Sequence, residues 1–499
     1  MTDLPASSWE SRSRSAPAGA WLAVGAAAVF AVAVVVAPLP ALGAGALVSV
    51  LAVALVRPDV ATVAAVFLLY TNAPTVAYTY HEAPYLLSAM VVPGLLGVAL
   101  MGHLAAGKNV VATRAAVLVA LLLAVEVLAT AFSPRPEVAA EDLLAFTLEG
   151  VVLFLLVLNA VRTPSGLRAA LWAILFAAGG LALMTVHQQV TSSPFRPYGG
   201  FALIDSYFLI GRSASPRATG PIGDANYFAQ ILVAAVPIGL MAALHERRWQ
   251  LRLLGTAITA VIAGGIMITD SRGAFVALVI VLAAIAAFRQ VRGRHVTALV
   301  VAAAVLLALM PAYAERLTTL VGVGAAATAE AGTEAAADQA VQGRSAEMRA
   351  AALTFADHPI LGVGPGAAPE FFQQYAGRLG AAVHEVAITG PEEGTAPTRE
   401  AHNMLLTVLA ETGLVGGLVF IGIVAVTLLD LGKARRRAVA LHSPLHIPLT
   451  AVLLALIGYL AAGLFLSLAF ERYFWLLLGL AGAATLIEWR RATAGGDAA

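Results

Sequence analysis

The chain has 499 residues, of which 60% are hydrophobic and only 12% charged, about half the charged share of ordinary globular proteins, so a soluble fold is excluded. Thirty Lys and Arg against 29 Asp and Glu leave a formal net charge of +1, which offers no basic field for nucleic acid. The absence of cysteine excludes disulfides, thiolate catalysis and cysteine-bound zinc or iron–sulfur centres.

In chain order, residues 1–19 are polar and rich in Ser and Arg. They read as a cytoplasmic tail rather than a signal peptide, because no cleavage site follows the first apolar run. Runs long enough for a membrane helix, about 20 largely apolar residues, then recur near 19–37, 41–56, 59–72, 84–103, 113–131, 142–161, 168–188, 226–243, 252–269, 273–288, 296–313, 403–429, 448–469 and 473–489. This pattern predicts an all-α integral membrane protein, a polytopic bundle of about 12–14 transmembrane helices. The runs at 41–56 and 59–72 are short and carry Gly or Pro, which predicts tilted or half-inserted segments. The expected divisions are N-terminal helices in 20–188, a loop at 189–225, central helices in 226–313, a large loop at 314–400, C-terminal helices in 401–489 and a tail at 490–499.

Orientation follows from the basic residues, which collect in short cytoplasmic loops. With the N-terminus inside, 19 of the 30 Lys and Arg fall inside, including Arg57, Lys108, Arg114, Arg162, Arg247, Lys433, Arg435 and Arg490. Both long loops then lie outside. The larger one opens with small residues from Gly322 to Ala340, expected to form a linker. It continues with a predicted helix at Ser345–Ala356, a turn through His358-Pro359 and Gly362-Val363-Gly364-Pro365-Gly366, and a second helix at Pro369–Leu379. No strand precedes the glycine-rich run and no Lys follows it, so it reads as turn chemistry rather than a phosphate loop.

Metalloprotease, nucleotide-loop and serine-hydrolase signatures are absent; His384-Glu385 begins like a zinc pair, but the residue four after His384 is Ile388. The acids inside the spans are chiefly Glu126, Glu149 and Glu411. Each reads as a proton-relay candidate or, more simply, as a carboxylate hydrogen-bonded between helices. Three further residues sit where outer loops meet helices: Arg217 ahead of Asn226, Arg272 in the tight turn Asp270-Ser271-Arg272-Gly273, and His402 ahead of Asn403. Two guanidiniums and several helix N-termini in one layer form a receptor for phosphate oxygens, and a His beside them can take a proton from a hydroxyl. Simpler readings stand beside these: Arg135 and Arg472 as snorkelling anchors, Arg272 as an ion pair with Asp270, and His402 as a helix cap. Asn403 is the better cap by residue type. Glu411 lies on the opposite helix face from His402 and roughly 13 Å deeper, so any carboxylate orienting His402 must come from elsewhere.

The segments Arg217 to Asn226, Asp270 to Ala274, Gly343-Arg344 through His358 to Gly364, Ala401 to Leu406 and Glu411 to Gly416 together resemble the O-antigen ligase superfamily, which includes O-antigen ligases, Wzy-type polysaccharide polymerases and protein O-oligosaccharyltransferases. The resemblance covers about 210 to 430. It implies a GT-C-type membrane glycosyltransferase of the cytoplasmic (inner) membrane, its site facing the extracytoplasmic side. Such enzymes pass a glycan from an undecaprenyl-diphosphate carrier to a hydroxyl on a glycan, lipid or protein, with no metal or other cofactor. It further implies that Arg217 and Arg272 hold the donor diphosphate, that His402 is the general base, and that Arg344, Arg212, Asn226 and Asn403 bind substrate. The span count is a departure, since a dozen or so is usual for the ligases. Two other classes remain as alternatives: a flippase or secondary transporter for lipid-linked glycans, which predicts polar residues at mid-membrane and broken helices, and a non-catalytic subunit of a polysaccharide export complex.

Overall fold

The computed structural model describes residues 57–191, 193, 196–204, 217–288, 339–378 and 401–496. The N-terminal tail, the expected spans near 19–37, 41–56 and 296–313, Arg212 and most of the Gly322 to Ala340 linker lie outside them.

The described residues are almost entirely helical: α1 (Pro58–Tyr70), α2 (Ala73–His81), α3 (Tyr85–Ala105), α4 (Arg114–Ala131), α5 (Pro136–Ala160), α6 (Pro164–Val190), α7 (Ala225–His245), α8 (Trp249–Ile268), α9 (Arg272–Ala287), α10 (Gln339–Asp357), α11 (Ala368–Arg378), α12 (Met404–Ala440), α13 (His446–Gly463) and α14 (Arg472–Gly496). One short antiparallel pair, β1 (Leu203–Ile204) with β2 (Ala218–Gly220), precedes α7. Eight of the described helices, α3 to α8 with α12 and α13, are long and apolar enough to cross a membrane. The protein is therefore an all-α, multi-pass membrane protein, as its composition requires.

The helices differ from the apolar runs where local chemistry intervenes. The run at 59–72 becomes the first arm of a broken span, α1 and α2 meeting at 57°. Asn72 stands at the break in a left-handed conformation, with Pro74 at the start of α2. The run at 142–161 starts earlier, at Pro136, and contains a π-turn over Phe146–Val152. The run at 448–469 stops at Gly463, which frees the following residues for a turn. The 16 residues of α9 span about 24 Å, short of the ~30 Å hydrocarbon layer.

Helices α6, α7 and α13 are mostly buried, whereas α3, α4, α8 and α12 leave most of their apolar windows exposed, as lipid-facing helices do. Small residues let α7 and α8 approach closely: a Cβ on Gly255 would lie 3.0 Å from the Ala243 nitrogen. Phe474 and Trp475 of α14 are fully buried, with Tyr459 of α13 stacked on Phe474 at 5.4 Å. At one end of the bundle, Arg114 pairs with Asp430, Arg168 with Glu246, and Arg435 and Arg491 bond to Thr450 and Ser443. The expected helix pair forms as α10 and α11. It packs a small core of its own, including Ala350, Val363, Phe372 and Tyr375, onto Ala401 and Ala410 beside and within α12.

Candidate active site

Arg217 stands at the mouth of β2. Its Nε donates to the Thr269 carbonyl at 3.0 Å and its Nη2 to Asn226 Oδ1 at 3.3 Å. The same Asn226 oxygen accepts from Ser271 Oγ at 3.0 Å. Both helices that follow are capped by short polar side chains, the preferred N-cap chemistry. Asp224 accepts from the backbone of Asn226 and Tyr227 at the start of α7, and Ser271 from Ala274 at the start of α9. Asp270, left-handed at φ 53°, makes the tight turn that delivers Ser271 and Arg272. Asn226 thus joins the two arginine segments expected to act together, and Arg272 begins α9, half-buried, beside this junction.

His402 precedes α12 with φ 47°. The cap falls to Asn403, whose Oδ1 accepts from Leu405 and Leu406 at 3.1 and 3.0 Å while its Nδ2 donates to the Leu464 carbonyl at 3.1 Å. The imidazole is left for other work. Its Nε2 lies 3.1 Å from Glu347 Oε2 on α10, and its Nδ1 is buried with no hydrogen-bond partner.

The turn after α13 is where these pieces meet. Asn403 holds Leu464, a Cβ on Gly273 of α9 would lie 3.1 Å from Phe465, and Ser467 bonds both Thr407 of α12 and Tyr227 of α7. A small cleft between them is lined by Asn226, Gln230, Ser271, Gly273, Phe465 and Leu466. The N-termini of α7, α9 and α12 thus gather at one end of the bundle. Helix N-termini carry partial positive charge and free N–H groups, so with the arginines they make an end receptive to an anion. Beyond the turn, burial raises the Glu471 carboxyl above its ordinary range, against the opposing pull of Arg472 and a hydrogen bond from Tyr227.

The glycine-rich run does more than turn the chain. Gly413 interrupts α12 at φ 65°, ψ −163°, a conformation open essentially to glycine alone. The backbone groups released there are taken up by the segment after α10. Val363 and Gly364 donate to the carbonyls of Ala410 and Glu411 at 3.0 and 2.9 Å, and Leu414 and Val415 donate to those of Pro359 and Ile360 at 2.8 and 3.3 Å. The helix pair is further fastened by Ser133 to the Val363 carbonyl at 2.6 Å and by Arg135 to Glu370 at 2.8 Å.

Arg344 falls within α10, a turn before Glu347, and Arg212 lies outside the described residues. Arg135, read as an anchor, is the partner of Glu370. Arg472, also read as an anchor, instead turns inward, bonding Asn72 Oδ1 at 2.9 Å and approaching Glu149 Oε1 at 3.5 Å. Asn72 in turn donates to the Pro221 carbonyl at 3.0 Å, so Arg472 supports the loop that carries Arg217. Glu347, Thr269, Ser271 and the 464–467 turn were not singled out from sequence. Ser271 had a signal, as a capping residue before an apolar run, whereas the apolar Leu464, Phe465 and Leu466 disguised their turn as a membrane span.

The bundle and this polar junction define a multi-pass membrane protein with an anion-receptive end. Residues 256–421, about a third of the chain, match the family model described as O-antigen ligase, which supports a place in the O-antigen ligase superfamily. The match runs from α8 into α12 and includes Arg272, Arg344, Glu347 and His402. Arg217 and Asn226 precede it and are attached to it through Thr269 and Ser271. No curated protein matches the chain.

Proposed function

We propose that the protein is a GT-C-type glycosyltransferase of the cytoplasmic membrane. It transfers a glycan from an undecaprenyl-diphosphate carrier to an acceptor hydroxyl on the extracytoplasmic side, in the assembly of cell-surface polysaccharide. The observation that carries this reading is the junction of Arg217, Asn226 and Ser271 at the same end of the bundle as His402. Arg217 and Arg272 hold the diphosphate, whose charge grows as the anomeric C–O bond breaks. Donors already oriented in a poorly hydrated site stabilise that charge most in the transition state. His402 takes the acceptor proton, and backside attack inverts the anomeric centre. Arg344 and Arg212 contribute further contacts to substrate; Asn226 and Asn403 bind at its margin while holding Arg217 and the start of α12 in place. The helix pair α10 and α11 forms an extracytoplasmic lid over donor and acceptor, and the chemistry is carried by side chains without a metal.

The test is glycan analysis, by gel and mass spectrometry, of a deletion strain complemented with wild type or His402→Ala. The expected outcome for a stably inserted variant is accumulation of lipid-linked glycan with loss of the surface product. Loss of a length ladder identifies a polymerase, and loss of a single attachment identifies a ligase. Full restoration of the product by His402→Ala overturns the general-base assignment.

A further inference from the structure

A histidine acting as a base needs its tautomer and ring orientation fixed, usually by a carboxylate on the other nitrogen. Glu411, nine residues on in the helix that His402 precedes, lies roughly 13 Å deeper by helix geometry. Glu347 on α10 is within reach, with its Oε2 3.1 Å from His402 Nε2 and the two side chains 18% and 27% exposed. An imidazole whose Nε2–H donates a hydrogen bond to a carboxylate keeps its lone pair on Nδ1, the nitrogen that is buried here without a partner. Both members are held from outside the pair. His402 sits in a left-handed conformation fixed by the Asn403 cap. The chain leaving α10 is bonded into the break in α12 by four backbone hydrogen bonds, which ties the helix of Glu347 to the helix that His402 precedes.

We propose that Glu347 is the positioning residue of His402, setting the Nε2–H tautomer so that Nδ1 receives the acceptor proton. This rests on the reading of His402 as the base. In the step, the acceptor oxygen bonds to the anomeric carbon as its proton passes to Nδ1. The bond from that carbon to the carrier phosphate breaks, and its electron pair leaves with the diphosphate. Glu347 stays ionised and stabilises the imidazolium, which then returns its proton to water.

The experiment uses full-length protein in nanodiscs, with lipid-linked glycan extracted from the deletion strain as donor. Wild type is compared with Glu347→Gln, an isostere that still accepts a hydrogen bond, and Glu347→Ala. Turnover is expected to fall roughly 10-fold in the Gln variant and about 10²-fold in the Ala variant, no more than the roughly 10²–10⁴-fold that a general base itself supplies, with donor KM unchanged. In parallel, NMR of histidine-labelled protein reads the tautomer of His402, its signal identified by its loss in His402→Asn. The Nε2–H form is expected in wild type and Glu347→Gln, and a mixture of tautomers in Glu347→Ala. An unaltered tautomer in Glu347→Ala, wild-type turnover in both variants, or a defect confined to donor KM overturns the proposal. If wild type transfers no glycan while the tautomer responds as stated, the glycosyltransferase reading falls and the pairing stands, so the two failures are distinguishable.

Discussion

A single oxygen, Asn226 Oδ1, accepts from both Arg217 and Ser271, so the aim of the first arginine depends on an amide that need not touch substrate. Replacing Arg217 by Ala removes an oriented donor, and turnover is expected to drop by about 10²–10³-fold. Lysine is not expected to rescue it, because one ammonium does not reproduce the planar fork that meets Thr269 and Asn226 together. Equal turnover of Arg217→Lys and wild type in the transfer assay contradicts this geometry. Glu126 invites the opposite test. Its carboxylate is fully buried and both oxygens lack partners, and burying an unpaired charge is costly. Glu126→Gln is therefore expected to melt at or above the wild-type temperature and to keep its activity. A stable but inactive Glu126→Gln variant assigns the carboxylate a proton-handling role instead.

Among the elements, the break in α12 couples the helix pair to the membrane bundle. A Cβ on Gly413 would fall 2.2 Å from the Ile360 oxygen, and one on Gly362 2.3 Å from the Glu411 carbonyl carbon. Either alanine variant must open the interlock, at a cost of about 1–3 kcal/mol for the backbone conformation alone. The expected result is a lowered thermal midpoint by fluorescence-detected size-exclusion chromatography, together with lost transfer, although neither residue meets substrate. Retention of both stability and turnover shows that the interlock is dispensable. Apolar run length located α3, α4, α7 and α8 to within a few residues and the turn residues located α11 to within one, whereas α10 begins at Gln339, six residues before the expected Ser345 and inside the expected linker. The glycine run was legible as a turn, but its partner was not, since four backbone hydrogen bonds to α12 depend on tertiary approach and leave no side-chain pattern. For the same reason His402 was recognisable as a candidate while Glu347 was not. An acid on a polar helix has no distinguishing local signal until the fold sets it against the ring.

At the scale of the molecule, polar chemistry is divided between the two ends of the bundle. Helix α12 makes the division visible: beyond the break at Gly413, the stretch Leu414–Ala440 alone rises about 40 Å, more than a ~30 Å hydrocarbon layer. The whole helix runs from the Asn403 cap at the arginine end to Lys433, Arg435, Arg436 and Arg437 at the other. Arg114 and Arg168 pair at that second end, which the proposed orientation, argued from the distribution of basic residues, turns toward the cytoplasm. In that orientation the arginine junction and the helix pair face outward, the side on which the proposed lipid-linked donor presents its glycan. Because the chain contains no cysteine, single cysteines report sidedness without a background to remove. Gln374 is exposed on α11, and Gln374→Cys is expected to react with a membrane-impermeant maleimide in intact spheroplasts, whereas Lys433→Cys is expected to react only after permeabilisation. The reverse pattern places the arginine junction in the cytoplasm, where it meets nucleotide-linked sugars rather than a translocated lipid-linked glycan, and the proposed donor is then wrong even if His402 and Arg217 are essential.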